Sequence, residues 1–123
     1  ALIVDYVYKA GDPRHELLLG PALTLPHLLE RNALKLKDVT VIEMHEAFAG
    51  QVLANVAAMA SEEFCKNRLK LDAPVGSISI DSLNRYGGSL SLGHPFGATG
   101  TRLLFTAAKR LQKEKSQYAI VTG

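Results

Sequence analysis

The chain is poor in cysteine, in long apolar runs and in net charge, and each shortage narrows what it can be. One cysteine, Cys65, in 123 residues excludes an internal disulfide framework and fits a reducing compartment. No Asn-X-Ser/Thr acceptor occurs. Every apolar run is short and broken by Lys, Asp or Gly, so no helix is expected to span a bilayer. No charged leader precedes Ala1-Leu2-Ile3-Val4-Asp5, which reads as neither a signal nor a transit peptide. With no initiator Met, the chain is expected to begin inside a longer one. A net charge of +2 is too small to point at nucleic acid. It suits an anionic small molecule such as a nucleotide-bearing cofactor, but selects none. Internal repeats and low-complexity linkers are missing as well.

What is present is the material for one core. Hydrophobic residues make up 47% and charged residues 21%, a balance that argues against disorder and for a single domain over residues 1–123. Leu2 to Tyr8 is β-branched and aromatic, which predicts a strand, ended by Gly11-Asp12-Pro13. After Gly20-Pro21, the spacing of Leu25, Leu28 and Leu29 predicts a helix ending near Asn32. Val39 to Met44 reads as a buried strand. Phe48, Val52, Leu53, Val56 and Met59 then recur at helical steps, with Phe48 expected in the core. Residues 64–83 read as an irregular excursion. Leu103, Leu104, Ala107, Ala108 and Leu111 predict an amphipathic helix with Arg102, Lys109, Arg110 and Lys113 outside, and Gln117 to Val121 a closing strand. Strands alternating with helices predict an α/β layered domain.

Two histidines fall where such domains build sites. His45 leaves the C-terminal end of a buried strand and His94 lies in a glycine-rich loop before a helix, the places where ligands gather in open α/β sheets. The loop reads NRYGGSLSLGHPFGATGTRL, with glycines at 87, 88, 93, 97 and 100 free to turn with positive φ. Pro95 biases His94 toward an extended backbone, and the helix N-terminus behind it disfavours imidazolium. A neutral ring can take a proton from a thiol, as a general base does. The loop is not a Walker loop, lacking Lys-Ser/Thr after its last glycine, nor is its spacing that of a dinucleotide fingerprint. On spacing alone, a structural turn remains an equal reading.

The other segment reads IEMHEAFAGQVLAN. His-Glu opening a helix suggests a zinc protease, but Ala49 stands where the second histidine would be required, so no metal site is expected. Glu46 reads as a helix-start acid. His45 itself is open between site and structure.

Taken together, HEAFA followed by GGSLSLGHPFGATGTRL resembles the thiolase family, and Leu17-Leu18-Leu19-Gly20-Pro21 resembles the start of its C-terminal half. The resemblance covers essentially the whole chain. HEAF in place of the commoner Asn-Glu-Ala-Phe, and the stretch near residues 62–83, are similar to the mitochondrial trifunctional-protein β-subunit branch. The resemblance implies a thiolase-like C-terminal domain, a layered mixed sheet with helices, incomplete at its C-terminal end. It implies that His94 is catalytic, taking the proton from a nucleophilic cysteine and helping to hold the thioester oxygen. It implies that His45 holds a water completing that oxyanion hole.

The activity implied is cleavage of a 3-ketoacyl-CoA by CoA in fatty-acid β-oxidation, with coenzyme A as co-substrate and no covalently bound cofactor. A mitochondrial location, a homodimer or tetramer and a hydratase/dehydrogenase α-subunit partner are implied in the same way. Both thiolase cysteines fall outside the chain, the second in a Cys-x-Gly motif expected just beyond Gly123. The polypeptide alone is therefore expected to be inactive, with an open sheet edge. Cys65 reads as an ordinary thiol, and no CoA-binding residue is assigned. Two alternatives share these features: a non-catalytic thiolase-like chain that binds lipid or a partner, and a condensing thiolase running the reaction in reverse.

Overall fold

A computed structural model describes residues 1–123. Its centre is a pair of parallel strands, β1 (Val41–Met44) and β2 (Ala119–Thr122), with Ile42 opposite Ile120. Helix α1 (Gly20–Arg31) leads into β1, and α2 (Ala49–Ala60), α3 (Glu62–Asn67), the one-turn α4 (Ser89–Leu92) and α5 (Thr99–Glu114) lie between the strands. Parallel pairing requires such a crossover. The α/β class, the helix ending near Asn32, the buried strand before His45 and the closing strand are as the sequence predicts.

Strand alternation divides the core in two. Ile42 and Met44 join Ile120 and the inward residues of α1 and α2, including Leu25, Leu29, Val52 and Met59, in one apolar cluster. Burying a leucine such as Leu25 contributes about 1.5–3 kcal/mol. Between α1 and α2 lies Asn55, buried and fully bonded. Its Oδ1 accepts from Ala22 N at 2.9 Å, satisfying a first-turn N–H that α1 cannot pair itself, and its Nδ2 donates to Leu18 O at 2.8 Å.

The opposite face of β1 meets α5. Glu43 points there, and Arg110 Nη1 donates to its Oε1 at 2.8 Å, with both side chains 0% exposed. Arg110 therefore sits inside and not on the solvated helix face that its charge predicts, where Lys109 and Lys113 do lie. Its guanidinium is also accepted by Glu114 and by the carbonyls of Ile42 and Ser82, which is why the burial is tolerated.

Two further expectations change. Leu2 to Tyr8 forms no ladder, because strand propensity supplies no partner, and Leu2 and Ile3 stay exposed. The segment is tied down by Asp5, which accepts from Arg31 and Asn32. Phe48 is 64% exposed rather than core, since the chain is still extended there and α2 begins one residue later. The 64–83 excursion is mostly irregular, opening with α3, whose N-cap Ser61 accepts from Phe64 N.

Candidate active site

His45 follows the last residue of β1, and its backbone N–H extends the ladder by donating to Thr122 O at 2.8 Å. His94 arrives from the other side, between Gly93 and a 3₁₀ turn over Phe96–Ala98 that runs into α5. The two rings meet with centroids 4.3 Å apart at a tilt of 39°. Residues 49 positions apart in sequence thus face each other across the ends of the sheet. They line the rim of a largely apolar cleft of about 900 Å³ between the N-terminal segment, α1, α5 and β2.

The loop is shaped as its glycines allow, but only at two of the five. Gly87 and Gly93 adopt positive φ, +96° and +95°, and Gly93 does so immediately before His94. Phe96 also has φ of +42°, an uncommon setting for an aromatic residue, and its ring lies 5.4 Å from that of His94.

Each imidazole is held at Nδ1 and left without a protein partner at Nε2. His94 Nδ1 is 2.7 Å from the hydroxyl of Thr99, the buried first residue of α5. His45 Nδ1 is 2.9 Å from the hydroxyl of Ser89. That hydroxyl in turn accepts from Arg102 Nη2 at 2.9 Å. Burial, followed by the nearness of His94 and of the Arg102 guanidinium, holds the His45 ring below its ordinary value, Glu46 pulling the other way. A neutral His45 is a hydrogen-bond donor and acceptor, not a fixed cation.

Glu46 does more than the helix-start role its position predicts, and for a different helix. Its Oε2 accepts from Leu90 N in α4 at 3.0 Å and its Oε1 from Asn84 Nδ2 at 2.6 Å. Asn84 meanwhile pairs with both backbone groups of Met44. This clasp joins the end of β1 to the glycine-rich loop and brings the two histidines together.

Ser89, Thr99, Arg102 and Asn84 are the site residues that sequence reasoning missed. One signal was available: Arg102 lies in the first turns of a helix, where the macrodipole disfavours a cation, so its position calls for a local reason. Cys65 is remote from this chemistry. It is fully buried in α3, with its Sγ directed at the carbonyls of Ala58 and Met59.

Residues 1–123 match the family model described as thiolase, C-terminal domain. A probable 3-ketoacyl-CoA thiolase of Caenorhabditis elegans is 55% identical over all 123 residues, which span 28% of that protein. The mitochondrial trifunctional enzyme subunit beta of Bos taurus is 50% identical over the same residues, 26% of its length. Among solved structures, human mitochondrial 3-ketoacyl-CoA thiolase superposes with a TM-score of 0.66 at 30% identity, covering 89% of this chain and 23% of that one. Acetyl-CoA acetyltransferase from Syntrophomonas wolfei gives 0.68 at 29% identity, over 86% and 24%. The chain spans about a quarter of the length of these relatives. From its first residue to its last, the chain belongs to the thiolase family as a C-terminal domain.

Proposed function

We propose that His45 and His94 are the proton-transfer and oxyanion-binding half of a site that cleaves 3-ketoacyl-CoA with CoA, giving acetyl-CoA and a shortened acyl-CoA. The observation that carries this reading is the 4.3 Å approach of the two rings, each anchored at Nδ1 and free at Nε2. Two imidazoles so placed can serve one reacting group, His94 as base toward a thiol and His45 as donor to the oxygen or its water.

The chemistry fits those roles. A cysteine thiol supplied by the complete protein gives its proton to His94 and attacks the keto carbon. The bond from that carbon to the α-carbon breaks, and its electrons move into an acetyl-CoA enolate. Negative charge then grows on the thioester oxygen, where a preorganised donor is worth about 3–4 kcal/mol in rate. A proton returned to the α-carbon releases acetyl-CoA. The acyl group left on sulfur passes to the thiol of incoming CoA, completing a two-step covalent exchange. Coenzyme A is thus a substrate.

The relatives' names support a place in fatty-acid β-oxidation, a mitochondrial location and an assembly with an α-subunit, here read as a hydratase/dehydrogenase. Residues 1–123 act in this reading as part of a longer chain, since the only thiol among them is buried away from the histidines.

The test is CoA-dependent cleavage of a long-chain 3-ketoacyl-CoA by the complete protein. Changing His94 to Ala is expected to lower kcat by about a hundred- to ten-thousandfold, the usual contribution of a positioned acid or base. Near-normal turnover in that variant would sink the assignment, because the Gly-His-Pro turn would then be structural only.

A further inference from the structure

Ser89 is one of the few buried polar side chains near the histidines, and its hydroxyl has two partners. Arginine carries donors and no acceptor, so the oxygen must accept from Arg102 Nη2. The single hydroxyl proton then has one acceptor within reach, His45 Nδ1 at 2.9 Å. The opposite arrangement, Nδ1–H donating to the serine, would leave the hydroxyl proton buried without an acceptor, a cost comparable to losing a hydrogen bond. Satisfying every donor places the ring proton of His45 on Nε2.

We propose that Ser89, oriented by Arg102, is a positioning residue that locks His45 in the Nε2–H tautomer. The atom left free of any protein partner then always presents a proton. This deepens the thiolase reading and rests on it for its kinetic consequence. An oxyanion or its bound water needs a donor, and an imidazole in the other tautomer would offer a lone pair there. Arg102 contributes twice. It holds the serine oxygen and the Gly93 carbonyl, and its charge opposes protonation of His45. Its Nε and Nη1 nitrogens are buried and meet no acceptor among residues 1–123.

The experiment has a spectroscopic and a kinetic arm, both on the complete protein. With ¹⁵N-histidine labelling, the His45 signals are identified by their loss in His45→Asn. The expected pattern is a protonated Nε2 and a bare Nδ1, retained in Ser89→Thr and replaced by a mixture of tautomers in Ser89→Ala. In the cleavage assay Ser89→Ala is expected to lower kcat about tenfold with KM within about twofold, as for an interaction made in the transition state. Ser89→Thr is expected to restore the rate, and Ser89→Ala should add nothing in a His45→Ala background.

A wild-type His45 protonated at Nδ1, or nitrogen shifts unmoved by Ser89→Ala, overturns the proposal. So does an equal loss from Ser89→Ala with and without His45, which marks a structural serine. If the tautomer is locked as described but no cleavage occurs, the thiolase reading fails while the positioning role stands.

Discussion

The carboxylate of Glu46 accepts the backbone N–H of Leu90 at 3.0 Å, joining the exit of β1 to the start of α4 across 44 residues. Its other oxygen accepts from Asn84 Nδ2, so both of its partners are donors. Glutamine cannot replace it, because the amide nitrogen would face one of them. Glu46→Gln is expected to cost about 1–3 kcal/mol, read as a lower urea midpoint. An unchanged midpoint would show that the clasp carries no stability.

The same carboxylate explains Gly88. A Cβ at that position would land on the Glu46 carboxyl group, although the backbone there, φ −110° and ψ −165°, suits any residue. Gly88→Ala is therefore expected to destabilise by displacing Glu46 and not by backbone strain. In a double-mutant cycle with Glu46→Ala, most of the loss should disappear. Additive losses would contradict this.

His45 couples the site to acid. Its folded-state pKa lies below the ordinary 6.5, so the unfolded chain takes up the proton first as pH falls. Stability should be unaffected by this group above about pH 6.5 and decline below it, levelling once the folded ring also protonates. His45→Asn removes the titration. The stability difference between wild type and variant, followed from about pH 7.5 to about pH 5.5, should move in favour of the variant.

The Arg110–Glu43 pair should behave as a buried pair does. Arg110→Met leaves Glu43 without its partner inside the core and is expected to cost about 3–5 kcal/mol. Burial already pushes the Glu43 carboxyl up, with Arg110 pulling it back. Replacing both residues by Met is expected to recover part of the loss. A double variant less stable than Arg110→Met alone would overturn this account.

Glu16 adds a second loss of stability in acid, in a lower pH window than that of His45. The Arg68 guanidinium, aided by the Asp12 backbone N–H, lowers its pKa to about 2. The stabilisation it gives is present above the unfolded value of 4.5 and is lost as pH falls toward about 2. Arg68→Met should flatten the acid limb of the stability curve over that range, as thermal melts at several pH values would show.

These relationships also mark what the sequence could disclose. The β1 segment, the helical spacing of Val52 and Met59, and the two histidines at element ends are local patterns and were legible. Arg110 was not, because an amphipathic reading puts every arginine outside and nothing near it in sequence announces Glu43. The role of Glu46 was hidden for the same reason: its partners lie in a loop about forty residues away. Leu2 to Tyr8 misled in the other direction, since a residue's preference for a strand says nothing about a neighbour to pair with. Ser89 and Thr99 looked like small loop residues until the two rings were placed beside them.

The Glu43–Arg110 pair has a meaning beyond its energy. Side chains alternate along a strand, so a slip of one position would rotate β1 and send His45 to the opposite face. It would also press the Glu43 carboxylate into the apolar layer of Ile120 and Leu25 and leave Met44 against the Arg110 guanidinium. Misalignment that would silence the chemistry is thus made costly two residues away from it. The buried charge proofreads the ladder, and a chain that has folded at all has folded with its histidine facing the right way.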